Sequence, residues 1–242
     1  MGDEPPIPPH EYSPEAQPPG PFERHPFTPE QARHVALMRA IAQELTSRTG
    51  DAFVLKGGTA LLLAYDLPRF SIDLDFDGRS PGIDLTESIQ AGAAAAQLPV
   101  HSLRDAKHTP TVHRHMLHYR DDVMRPLKIE VSYRQAQQID EDDVTTINGI
   151  RTYRLEKLAS LKIDALVNRT KARDIFDTSF LLHRYPKAIS DDDLTRIDQL
   201  IDLNDLEAIM QDDDILNRFD LTHVAVSLVD NVLRMRRERR GE

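Results

Sequence analysis

Along residues 71–77 the chain alternates strictly: Ile72, Leu74 and Phe76 are apolar, while Ser71, Asp73, Asp75 and Asp77 are polar. A period of two belongs to a strand with one face in a core, which gathers the carboxylates on the other face. The same period recurs at 127–133, where Ile129 and Val131 point inward and Lys128, Glu130 and Ser132 outward. Residues 112–119 read as the hairpin partner of that segment, through a turn at Asp121-Asp122. A short apolar run at 53–55 predicts another strand, which enters Lys56-Gly57-Gly58-Thr59 and a helix over 59–65.

Elsewhere the period is helical. Thr28-Pro29-Glu30-Gln31 combines a capping threonine, a proline at the first helical position and a capping-box glutamine, and Val35, Met38, Ile41, Ala42 and Leu45 then share one face. Asp84, with Glu87 three residues on, opens an alanine-rich helix to residue 96. From Tyr153 onward the pattern predicts helices over 154–168 and 172–184, shorter acidic helices, and a last helix from Leu221 toward Arg240. The expectation is an α+β fold: a disordered tail over 1–27, a catalytic domain over 28–150 with the site, and an all-helical domain over 151–242.

Composition adds limits to this picture. Nine of the 16 prolines lie in the first 26 residues, among glycine, glutamate and few aliphatics, a mixture that buries too little surface to order itself. There is no cysteine, so disulfides and thiolate metal sites are excluded. No apolar run approaches the ~20 residues of a membrane span, and the N-terminus lacks the basic and apolar regions of a signal peptide. The expected protein is soluble and cytoplasmic, with no membrane partner. The net charge of −10 is unevenly spread: residues 151–174 hold seven basic and three acidic residues, whereas 190–220 hold eleven acids and two arginines.

The acid-bearing strand defines the candidate chemistry. Adjacent carboxylates on one face repel, and they are tolerated chiefly around a hard divalent cation; Mg²⁺ (or Mn²⁺) favours one or two carboxylates together with substrate phosphates. The glycine turn supplies free N–H groups at a helix start, which suit a phosphate. If the 127–133 strand lies beside the first, Glu130 joins Asp73 and Asp75. Three acids suit two cations, one activating a hydroxyl and one holding a triphosphate. Phosphate cradle and acids together point to nucleotidyl transfer from an NTP.

With these blocks in view, the chain resembles the AbiEii/AbiGii-type nucleotidyltransferase toxins, which include the MenT enzymes, within the DNA polymerase beta-like nucleotidyltransferases. The resemblance runs from about residue 53 to 182. It rests on Lys56-Gly57-Gly58-Thr59-Ala60-Leu61, on Arg69 with Ser71-Ile72-Asp73-Leu74-Asp75-Phe76, and on Lys128-Ile129-Glu130. Leu155-Glu156-Lys157-Leu158 and the segment from Arg169 to Asp177 complete it. It implies a catalytic domain with a small mixed sheet, Asp73, Asp75 and Glu130 as metal ligands, and Gly57, Gly58 and Thr59 with Ser71 at the nucleotide. It further implies that Lys56, Lys157 and Asp174 work near that nucleotide, that the acceptor is the 3′ end of tRNA, and that an antitoxin restrains the toxin.

Plainer readings stand beside these. Glu130 could be a surface acid opposite Lys128, and Lys157, Lys162, Asp164, Asp174 and Asp177 could form a helical salt-bridge network. His113, His115 and His118 invite a zinc reading, yet His118 falls on the opposite strand face. Transfer to a small molecule or protein side chain, or a non-catalytic binding module, are the alternative functions. For an RNA acceptor the candidate contacts are Arg151, Arg154, Arg169, Lys171 and Arg173, with His113, Arg114 and His115 as a second group.

Overall fold

Helix α1 (Pro29–Thr49) starts on its capping box: the Gln31 N–H donates to Thr28 Oγ1 at 3.2 Å and the Thr28 N–H donates to Gln31 Oε1 at 3.1 Å. Two orphan donors of the first turn are thereby satisfied, and Leu37, Met38, Ile41, Ala42 and Leu45 are buried below. Strand β1 (Phe53–Lys56), helix α2 (Gly57–Ala64), strand β2 (Asp73–Gly78) and helix α3 (Thr86–Ala95) follow. Next come β3 (Val100–Thr109), β4 (Val112–Tyr119), β5 (Leu127–Ser132) and a hairpin of β6 (Val144–Ile147) and β7 (Ile150–Tyr153). The chain continues through α4 (Leu155–Arg169), α5 (Ala172–Arg184), α6 (Asp191–Ile201), α7 (Leu206–Met210) and α8 (Leu221–Arg240). The computed structural model describes residues 20–119, 125–201, 206–210 and 213–241; the expected turn at Asp121-Asp122 and the first 19 residues lie outside the described residues.

The seven strands form one mixed sheet in the order β3-β4-β5-β2-β1-β7-β6. β2 runs parallel to β5 and β1 parallel to β7, and the other neighbours are antiparallel. The ladder sets Asp73 opposite Lys128, Asp75 opposite Glu130 and Asp77 opposite Ser132, with Lys56 opposite Asp75 on the other side. Glu130 therefore lies beside the acids of β2. Leu74, Phe76, Ile129 and Val131 are buried on the opposite face, where α1 and α3 pack. These helices meet so closely that a Cβ on Gly92 would lie 2.5 Å from Ile41 Cα, so only glycine fits there.

Three strands differ from the sequence expectation. β3 is exposed along most of its length, so no apolar alternation marks it. β6 and β7 are only four residues each, joined by Asn148 and Gly149 at φ of +52° and +76°, the residue pair that a two-residue hairpin turn favours. β7 crosses residue 150, the expected boundary, and one buried cluster runs from α1 through the sheet to α8.

Residues 20–27 also depart from the disordered tail expected there. The Phe22 ring meets Phe176 and Phe180 edge-on at 5.5 and 5.7 Å, Phe27 meets Phe70 at 6.0 Å, and Arg218 Nη1 donates to the Pro26 carbonyl at 2.8 Å. The two aromatic rings supply the burial that the surrounding prolines lack.

Candidate active site

The polar face of β2 is a row of three acids, and cations from the flanking strands reach all of them. Lys128 on β5 places Nζ 3.1 Å from Asp73 Oδ2 and 3.3 Å from Asp75 Oδ1. Lys56 Nζ donates to Asp77 Oδ1 at 2.5 Å and the Tyr153 hydroxyl donates to Asp77 Oδ2 at 3.0 Å. Asp77 is 1% exposed, whereas the Asp73 and Asp75 side chains are 32% and 39% exposed. The first two acids are open to a ligand, and the third is a buried counter-charge. Beside them, Arg114 on β4 holds Glu130 Oε2 at 2.5 Å from Nη2 and 2.6 Å from Nε.

Burial pushes the Asp75 carboxyl above its ordinary value; the charges of Asp73 and Glu130 add to this rise, against the pull of Lys128. Burial works the other way on the Lys128 ammonium, but Asp75 and Asp73 outweigh it and raise that group. Two carboxylates on one strand face fit Mg²⁺ or Mn²⁺, and their exposure leaves room for phosphate oxygens as further ligands. Glu130 is engaged by Arg114, and among the described residues no group of three or more His, Cys, Asp or Glu is placed to hold a metal ion. The candidate ligands are thus the pair Asp73 and Asp75, with Glu130 adjacent.

The glycine turn lies against this pair. α2 begins at Gly57, two residues before the expected start, with Gly57 at φ +75°, so its first N–H groups have no intrahelical partner. A Cβ on Gly57 would stand 3.8 Å from Asp75 Oδ2, and one on Gly58 would stand 2.5 Å from Arg69 Nη2. A side chain at residue 58 would have to push the Arg69 guanidinium off Asp177. Thr59 Oγ1 lies 2.7 Å from Ser71 Oγ and 2.5 Å from the Asp73 carbonyl, which fastens the turn to the start of β2.

The helices and the loop before β2 share a chain of charges, buried from Arg69 to Asp174 and reaching the surface at Arg169. Arg69 Nε and Nη2 donate to Asp177 at 2.5 and 2.7 Å, and Lys162 Nζ lies 2.6 Å from Asp177 and 3.7 Å from Asp174. Arg169 in turn grips Asp174 at 2.7 and 2.9 Å. Burial alone would push the Asp177 carboxyl up, but the Arg69 and Lys162 charges hold it below its ordinary value. On α4, Leu158, Leu161, Lys162, Ala165 and Arg169 follow helical spacing and face the cleft. Lys157 is off this stripe: it binds Asp143 Oδ2 at 2.9 Å and lines neither cavity of the cleft. Sequence reading singled out Lys157, while the stripe brings Lys162 and Arg169 to the acids.

Two adjoining cavities of about 410 and 260 Å³ share Gly57, Asp75, Lys128, Lys162 and Arg169. The larger adds Lys56, Glu130 and Arg134, and the smaller Gly58, Arg69, Ser71, Asp73, Lys171, Arg173 and Asp174. Together their walls carry eight basic and five acidic residues, a local excess of +3 in a chain of net charge −10. Of the expected acceptor contacts, Arg169, Lys171 and Arg173 line the cleft. Arg151 instead binds Glu141 at 2.6 Å and Arg154 stands outside it, at the N-cap of α4. The strand period also separates the second group: Arg114 faces the acids, while His113 and His115 are buried on the other face. A cavity of about 650 Å³ there, walled by His101, His108, His113 and His115, contains none of the β2 acids.

A mixed sheet with an Asp-x-Asp strand, a glycine turn opening a helix beside it and a glutamate on the parallel neighbour defines a nucleotidyltransferase fold. The model of the AbiEii family, the nucleotidyl transferase toxins of type IV toxin–antitoxin systems, matches residues 39–216, and the chain belongs to that family. JHP933 from Helicobacter pylori is 31% identical, with a TM-score of 0.77 over 88% of this chain and 94% of that one. A candidate nucleotidyltransferase of the same species is also 31% identical, with a TM-score of 0.75 over 88% and 97%. MenT4, a nucleotidyltransferase toxin of Mycobacterium tuberculosis, is 14% identical over 87% and 91%, with a TM-score of 0.48. No curated protein matches the chain. No described helix is long and apolar enough to cross a membrane.

Proposed function

We propose that this nucleotidyltransferase is metal-dependent and adds nucleotides from an NTP to the 3′ end of tRNA, under restraint by a cognate antitoxin. The observation that carries the reading is the position of Asp75 at the junction of two basic cavities, which offers donor and acceptor separate places around one acid pair. The smaller cavity suits the triphosphate: the N–H groups of Gly57, Gly58 and Thr59 open a helix toward it, and Ser71, Lys171 and Arg173 stand around it. The larger cavity, with Arg134 at its wall, suits the acceptor.

Asp73 and Asp75 would hold the Mg²⁺ or Mn²⁺, which supplies charge neutralisation at the phosphates when bound. In the transfer the acceptor hydroxyl oxygen bonds to the α-phosphorus, the bond from that phosphorus to the bridging oxygen breaks, and pyrophosphate leaves. Glu130 is the carboxylate within the larger cavity available to the hydroxyl proton. Lys162 and Arg169 place positive charge beside the departing pyrophosphate, and Asp174 is a positioning residue that holds both. Lys56, engaged by buried Asp77, supports the turn rather than the phosphates, and Lys157 plays no part in the chemistry.

The test is labelling of tRNA from radiolabelled NTP across a salt series, for wild type and Arg134→Glu. A polyanionic acceptor predicts labelling that falls steeply with salt, and a variant that loses RNA labelling while binding NTP normally. A flat salt response with an unaffected variant would favour a small molecule or protein side chain as acceptor.

A further inference from the structure

We propose that Lys128 is a resident counter-cation of Asp73 and Asp75 that the metal must displace, so that Lys128 sets the metal affinity of the site. The inference rests on the metal-dependent reading above. The ladder places Lys128 directly opposite Asp73, and its ammonium bridges the two carboxylates at 3.1 and 3.3 Å. This is no solvated surface pair: the Lys128 side chain is 26% exposed, less than either acid it joins. Two ionised carboxylates on alternate positions of one strand face repel, and the ammonium between them cancels that repulsion.

A divalent cation that takes the same oxygens brings a like charge against the ammonium, so the two occupants compete. Lys128 lines both cavities of the cleft, and its flexible four-carbon stem has space on either side to move into. In the metal-bound site the displaced ammonium stands in the cleft as a positioning charge for phosphates.

The experiment is a Mn²⁺ titration followed by the metal's own EPR signal, with thermal unfolding measured with and without Mg²⁺, on the full chain. Lys128→Met is expected to bind Mn²⁺ about tenfold more tightly than wild type, a modest value for two ligands competing at one site. Without metal it is expected to melt lower than wild type, and on adding Mg²⁺ to gain more. Lys128→Arg keeps the charge on a fork that fits carboxylates and is expected to bind Mn²⁺ no better than wild type. If Lys128→Met does not fold, Lys128→Gln replaces it, with the same expected tightening. Equal Mn²⁺ affinity in wild type and the neutral variant would overturn the role of Lys128 and leave the metal reading standing. No Mn²⁺ binding in any of the proteins would overturn the metal reading, and this inference with it.

Discussion

Asp75 and Asp77 are two residues apart on one strand face, yet their surroundings give them opposite work. Asp75 stands half-buried between two cavities, while Asp77 is closed in by Lys56 and Tyr153. Asp75→Asn removes a ligand charge without changing shape, so transfer should fall at least about a hundredfold, because a missing ligand misplaces the reacting groups. Its melting temperature should stay within a few degrees of wild type. Lys56→Ala should do the reverse, stripping the partner from a buried carboxylate at a cost of roughly 3 kcal/mol. Thermal melts beside NTP-binding assays on the two variants separate the roles, and unchanged stability in Lys56→Ala would place that lysine with the phosphates instead. Alternation made the common face of Asp73, Asp75 and Asp77 legible in the sequence. What it could not convey is depth, because Asp77 is covered by Tyr153, a residue brought over by a strand too short to read.

At the scale of elements, the charge chain Arg69–Asp177–Lys162–Asp174–Arg169, buried except at Arg169, ties α4 and α5 to the loop before β2. Asp177→Asn leaves Arg69 buried without its counter-charge and Lys162 with only Asp174 at 3.7 Å, so a loss of about 3–5 kcal/mol at neutral pH is expected. Because the folded carboxyl lies below its ordinary value of 3.8, its stabilisation is complete above that pH and is lost as pH falls below it. Denaturant unfolding of wild type and variant should therefore converge in acid, and a gap that widens there would contradict the assigned shift. At the crossing of α1 and α3, Gly92→Ala forces a methyl against the Ile41 backbone and should cost about 1–3 kcal/mol in the same assay.

The long helices α1, α5 and α8 were readable because the apolar period holds over many turns, with a capping box besides at the start of α1. Exposed β3 lacks alternation, and four-residue β6 and β7 are marked only by the Asn148-Gly149 turn between them. The cleft stripe of α4 was present as helical spacing, but it becomes a site only once α4 is docked on the sheet. Lys162 therefore reads as an ordinary salt-bridge residue, and Arg169 as an RNA contact rather than a neighbour of the acids.

At the scale of the whole molecule, four histidines among the described residues respond to pH together. Burial is the main cause that lowers His34, His113, His115 and His183 below the ordinary value of 6.5. The unfolded chain then takes up protons near that pH that the folded chain refuses, so stability is full above it and declines as pH falls through the lowered values. Melting temperature should drop between about pH 7.5 and about pH 5.5, and a flat profile would mean that these rings titrate normally. The acidic excess of the chain was legible as a total, but only folding gathers basic residues from β5, α4 and the α4–α5 turn into one cleft, which is where an acceptor's charge is felt.

The central claim, transfer of a nucleotide from NTP to tRNA by the Asp73–Asp75 site, is tested most directly by one labelling experiment. Wild type and Asp75→Asn are incubated with each labelled NTP, Mg²⁺ and total RNA, and the label is then located. Label at the 3′ end of tRNA with wild type, absent with Asp75→Asn and absent without Mg²⁺, is the predicted result. Undiminished labelling by a folded Asp75→Asn protein, or label found only outside RNA, would contradict the account.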